Sequence, residues 1–233
     1  MSRPAETLVA DALPERVAGI GLLIPVLLSV ALSALTTTDG SSAPITLTDS
    51  ALVRGLGLEL GLTATLGLWL WRSGWRPHQS ATRPFALVDL GRGMLLWVSA
   101  IVSVIGWALV CGLLWPNVLA IAKETQMVGA PGFWLSLAFS VFNAVFEEFL
   151  WLGLGVAAFR RFGLAWAGAI SVALRLLVHA YQGPLALVTV LPVGIVFTLY
   201  YFSSRRLWPI VVAHAFQDTL ALYLVSSGLP PRG

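Results

Sequence analysis

The chain alternates long apolar stretches with short polar ones. Seven stretches, about 17–36, 52–71, 94–115, 132–159, 164–181, 184–202 and 207–226, come close to or exceed the roughly 20 apolar residues that cross a hydrocarbon layer. Backbone N–H and C=O groups find no water in that layer, so each stretch is expected to bond internally as a helix. The pattern predicts an all-α fold, a polytopic membrane helix bundle of about seven transmembrane helices. The last three stretches follow one another closely and are expected to pack antiparallel. No Gly/Ser linker interrupts the chain. The expected organisation is an N-terminal tail over 1–15, three transmembrane helices with their loops over 16–129, a core over 130–226, and a tail over 227–233.

Composition strengthens the membrane reading. Of 233 residues, 58% are hydrophobic and 11% charged, against about a quarter charged in soluble domains. The ten Trp fit interfacial belts, where an amphipathic ring sits at headgroup level. The first stretch, Val17 to Leu35, is longer than the roughly 7–15 apolar residues of a signal peptide, so it is expected to be a retained helix. Cys111 is alone and excludes an internal disulfide.

Charge adds an orientation. The net charge of +3 is small, and the basic residues lie between the apolar stretches rather than in a run. That distribution argues topology and not nucleic-acid binding. Arg72, Arg76, Arg83 and Arg92 fall in the second loop, Arg160 and Arg161 after the fourth stretch, Arg205 and Arg206 after the sixth. The first loop holds Asp39 and Asp49 but no Lys or Arg, and the third has Lys123. The positive-inside rule then expects a cytoplasmic N-terminus and an external C-terminus.

Some features have structural readings. Gly57 and Gly61 form GxxxG, expected to let helices approach within the bundle, with dimerisation as the alternative. Glu59 is expected to pair with Arg54 near the interface, and Pro25 and Pro192 to kink their helices.

Candidate chemistry sits where a bilayer disfavours it. Glu147 and Glu148 lie in the fourth stretch, Arg175 and His179 in the fifth, His214 and Asp218 in the seventh. An Asp, Lys or Arg at a helix centre costs at least about 2.5–3.5 kcal/mol, so intramembrane ionisable groups are read as functional. Arg175 with His179, and His214 with Asp218, are four apart and share a helix face. Counting ~1.5 Å per residue from the helix ends puts Glu147 ~20 Å, His179 ~24 Å, His214 ~12 Å and Asp218 ~18 Å into the membrane. Tilt makes these depths overlap. A set of buried ion pairs, a proton pathway and a zinc site remain alternative readings of the same groups, although HExxH is absent.

The residues resemble the motifs of the CPBP (Abi) family, which includes the type II CAAX prenyl proteases and bacteriocin-processing or self-immunity proteins. The family pattern is EExxxR, FxxxH and HxxxN or HxxxD on successive transmembrane helices. Glu147-Glu148, His179, and His214 with Asp218 match in order over about 130–226. Leu152 stands where the pattern has Arg, and Arg175 where it has Phe.

The resemblance implies a metal-independent intramembrane glutamate endopeptidase with no cofactor. Its partners would be the lipid bilayer and a lipidated or membrane-anchored protein or peptide. A bacterial cell membrane is the expected location. On the resemblance Glu147 is the general base, assisted by Glu148 and His179, while His214 and Asp218 serve the oxyanion. Arg175 is expected to replace the missing motif Arg and to pair with Glu147, Glu148 or Asp218, the alternative being an Arg that snorkels outward or pairs with Glu59. The alternatives are an inactive scaffold or immunity protein of the same fold and a small proton-coupled transporter.

Overall fold

The computed structural model describes residues 14–37, 45–75, 84–124 and 127–227. Residues 1–13 and 228–233 of the tails, and Asp39, Arg76 and Arg83 of the loops, lie outside them. Nine α-helices are described: α1 (Glu15–Thr37), α2 (Asp49–Arg72), α3 (Val88–Leu114), α4 (Pro116–Glu124), α5 (Phe133–Glu148), α6 (Val156–Phe159), α7 (Leu164–Val178), α8 (Pro184–Ser204) and α9 (Trp208–Ser226). Each of the seven apolar stretches is helical, and the fold is all-α as expected. Five helices are long and apolar enough to cross a membrane: α2, α3, the continuous run 133–162, α8 and α9. The protein is an integral membrane protein.

Three details differ from the expectation. The third helix starts six residues earlier than its apolar core, because Asp89 in its first turn accepts from the Ala86 N–H and holds the start. Helix α4 begins at Pro116, which can occupy a first helical turn but cannot continue the preceding helix. Two residues of the first loop, β1 (Ile45–Thr46), pair in parallel with β2 (Met127–Val128) of the third.

The run 133–162 is the central post. It is α-helical to Glu148, widens to a π-helix over Phe149–Gly155, and returns to α-helix at Val156. The wide turns are wrapped on all sides: Leu150, Trp151, Leu152, Leu154 and Val156 are buried. A π turn leaves carbonyls without their usual partners. The Trp151 carbonyl accepts the Val156 N–H and, as a second donor, the hydroxyl of Ser171 on α7 at 2.6 Å. Gly155 permits this approach, since a Cβ there would stand 2.9 Å from Ser171 Oγ.

Helix α7 is short. Fifteen residues rise only ~22 Å, less than the hydrocarbon thickness. The helix stops at His179 and a 3-10 turn over Ala180–Gln182 follows. Irregular backbone at membrane depth is tolerated where it is buried in protein or lines a polar cavity.

Contacts between chain ends and loops sort them into two ends of the bundle. At one end Arg160 pairs with Glu15 at 3.5 Å, and Arg206 grips buried Asp89 with two bonds of 2.9 and 2.7 Å. At the other end β1 meets β2, Gly132 N–H donates to Asp49 at 2.7 Å, and Phe133 packs on Tyr223 near the close of α9. The first end gathers the arginine-rich loops and the second the arginine-poor ones.

Two minor expectations fail. A Cβ at Gly57 or Gly61 would meet nothing within 4 Å, so GxxxG faces away from the described bundle instead of packing in it. No ion pair joins Glu59 to Arg54 among the described residues. Glu59 instead lies on the inner side of α2, within electrostatic range of Glu147, Asp218 and His214.

Candidate active site

The paired acids close α5, immediately before the wide turns. Their environments are opposite. Glu148 has no exposed surface, and both of its oxygens are held. Oε1 is 2.6 Å from His214 Nδ1 on α9, and Oε2 accepts from Arg175 Nη2 on α7 at 2.7 Å. Glu147 keeps 17% of its side chain exposed. It accepts one long bond, 3.3 Å, from Trp151 Nε1 within the π turn. Its other oxygen faces His179 Nε2 at 3.9 Å, too far for a direct hydrogen bond and suited to a bridging water.

The end of α7 orients that imidazole. His179 Nδ1 is 2.8 Å from the carbonyl of Arg175, one turn earlier. A carbonyl only accepts, so Nδ1 carries hydrogen and Nε2 is the nitrogen turned to Glu147. The Tyr181 ring stacks near-parallel to that of His179, with centroids 6.2 Å apart.

The third element is α9. His214 Nε2 lies 3.4 Å from Asp218 Oδ2, one turn along. Both ring nitrogens of His214 therefore face carboxylates. Asp218 Oδ2 also accepts from Asn143 Nδ2 on α5 at 3.0 Å.

All five acid and imidazole residues singled out in the sequence thus join one connected cluster, with Arg175 inside it. Arg175 pairs with Glu148, one of its three expected partners. Sequence reasoning missed Asn143, Trp151 and Glu59. Asn143 and Trp151 stand one turn either side of Glu147 on the same helix, a signal available in the i±4 spacing. Glu59 stood out as an acid within an apolar stretch but was paired with Arg54, and only tertiary packing turns it toward the cluster. Its Oε2 is buried with no hydrogen-bond partner among the described residues. An apolar hollow of about 560 Å³ along α5, lined by Trp134, Leu137, Ala138, Val141, Phe142 and Val145, contains none of these polar groups. Among the described residues no three His, Cys, Asp or Glu converge as a metal-binding group.

Fold and cluster together define a polytopic helical membrane protein with a Glu–His–Arg–Asp site formed where α5, α7 and α9 meet. Residues 129–220 match the family model described as type II CAAX prenyl endopeptidase, Rce1-like. The match runs from just before α5 into α9, contains every residue of the cluster except Glu59, and agrees with the family that the motifs resemble. At family level it supports a CAAX-type protease-like function. Neither a curated protein nor a solved structure matches the chain.

Proposed function

We propose that the protein is an intramembrane glutamate-dependent endopeptidase that hydrolyses a peptide bond of a lipidated or membrane-anchored protein or peptide. The observation that carries this reading is the division between the two acids. Glu148 is fully engaged by Arg175 and His214 and has no free oxygen for a substrate water. Glu147 is partly open, loosely bonded, and faces an imidazole nitrogen across the span of one water.

Glu147 is then the general base and His179 the group that orients the water. The water oxygen bonds to the peptide carbon as its proton passes to Glu147, and the carbonyl electrons move onto oxygen. Collapse of this intermediate breaks the C–N bond. Glu147 returns the proton to the leaving nitrogen, giving a carboxylic acid and an amine without an acyl-enzyme. Glu148 acts as the hub that fixes α5 against α7 and α9. Arg175 balances its buried charge and takes over the part of the Arg that Leu152 replaces. The arginine-rich end of the bundle is cytoplasmic, and a bacterial inner membrane is the expected location.

The test compares the proteomes of membrane fractions containing wild-type protein, Glu147→Gln or Glu147→Ala. A peptide terminus present only with wild type is expected. An identical set of termini in all three would refute the peptidase reading.

A further inference from the structure

Hydrolysis through a tetrahedral intermediate needs hydrogen-bond donors aimed at the oxygen that becomes negative. The motif positions supply them poorly here. Asp218 as a carboxylate only accepts, and would repel an oxyanion. His214 presents Nδ1 to Glu148 at 2.6 Å and Nε2 to Asp218 at 3.4 Å, so both its nitrogens are directed at carboxylates.

Asn143 answers this deficit. It lies on α5 one turn before Glu147 and is 9% exposed. Its amide donates one hydrogen to Asp218 Oδ2 at 3.0 Å, and no other hydrogen bond of its side chain is present among the described residues. That bond fixes which end of the amide is nitrogen, because a carboxylate oxygen must receive N–H. An amide nitrogen carries two hydrogens about 120° apart in one plane. With one held by Asp218, the second is a fixed, neutral donor beside the general base. A pre-oriented dipole of this kind needs no reorganisation when charge appears.

We infer that Asn143 is a catalytic residue that donates its second amide hydrogen to the oxyanion, and that Asp218 is the positioning residue that orients it. The third motif thereby acts through α5: the acid on α9 sets the donor and the amide on α5 delivers it. The inference rests on the peptidase reading and deepens it. The alternative role for Asn143 is a structural tie between α5 and α9, and the two roles separate experimentally.

The experiment measures kcat and KM on the substrate identified by the proteomic comparison, in detergent or vesicles, with a melting curve for each variant. Glu147→Gln reports on the peptidase reading itself. Asn143→Ala and the near-isosteric Asn143→Asp are each expected to lower kcat by about 10²–10³, the cost of one oxyanion donor, with KM changed only a few-fold. The exchange Asn143→Asp with Asp218→Asn rebuilds the tie with the donor moved to α9. It is expected to recover the melting temperature and little of kcat. A structural tie would recover both. Asn143→Ala within three-fold of wild-type kcat, or full recovery of kcat in the exchange, overturns the inference while an inactive Glu147→Gln leaves the peptidase reading standing. Unchanged turnover in Glu147→Gln overturns both. Should Asn143→Ala fail to fold, the exchange variant decides.

Discussion

Replacing Arg175 by Met keeps length and apolar packing but removes the cation from a pair in which Arg175 is 5% and Glu148 0% exposed. Breaking a buried pair from one side costs about 3–5 kcal/mol, because the remaining charge stays buried without its counterion. At 1.4 kcal/mol per decade this lowers the folding equilibrium by roughly two to three and a half decades. For a chain of this length it predicts a fall in melting temperature of about 6–20 °C. The assay is thermal unfolding of detergent-purified protein followed by circular dichroism. Adding Glu148→Gln removes the stranded charge, so the double variant is expected to melt above Arg175→Met alone, a coupling that independent sites lack. Leu152→Arg in an Arg175→Phe background places a guanidinium one turn after Glu148 and is expected to recover part of the lost activity. The reasoning is refuted if Arg175→Met melts within about 2 °C of wild type, the shift expected from less than ~1 kcal/mol, or if the two substitutions simply add.

Other expectations follow from different parts of the molecule. Reporter fusions at the two termini should place the N-terminus inside and the C-terminus outside, and two ends on one side would reject seven crossings. EDTA should leave hydrolysis unchanged; loss of activity that zinc restores would make the site a metallopeptidase. Asp89→Asn should lower the melting temperature clearly, since Arg206 holds Asp89 through two bonds in a position with no exposed surface. A wild-type melting curve for that variant would show that the start of α3 is held by other contacts.

The helical nature of the apolar stretches and the membership of the polar cluster were legible in the chain because both follow from one-dimensional rules. A bilayer forces an apolar run into a helix, and it penalises buried charge enough that each intramembrane Glu, His, Arg or Asp stands out. Spacing of four puts Arg175 with His179, and His214 with Asp218, on shared helix faces. Tertiary structure decided what those rules cannot express. Glu147 and Glu148 are adjacent and chemically identical, yet side chains of α7 and α9 bond both oxygens of Glu148 while Glu147 stays partly exposed, so the difference in their surroundings comes from packing. The π turn after Glu148 and the Ser171 hydroxyl that caps it depend on a neighbouring helix that local sequence does not see. The same holds for Glu59, turned from its expected partner Arg54 toward the cluster by the way α2 lies on α5. Asn143 is an unremarkable amide in an apolar run until α9 brings Asp218 within 3.0 Å of it. Hydrophobic pattern sets which segments enter the membrane, whereas donor and acceptor geometry across helices exists only once those segments have packed.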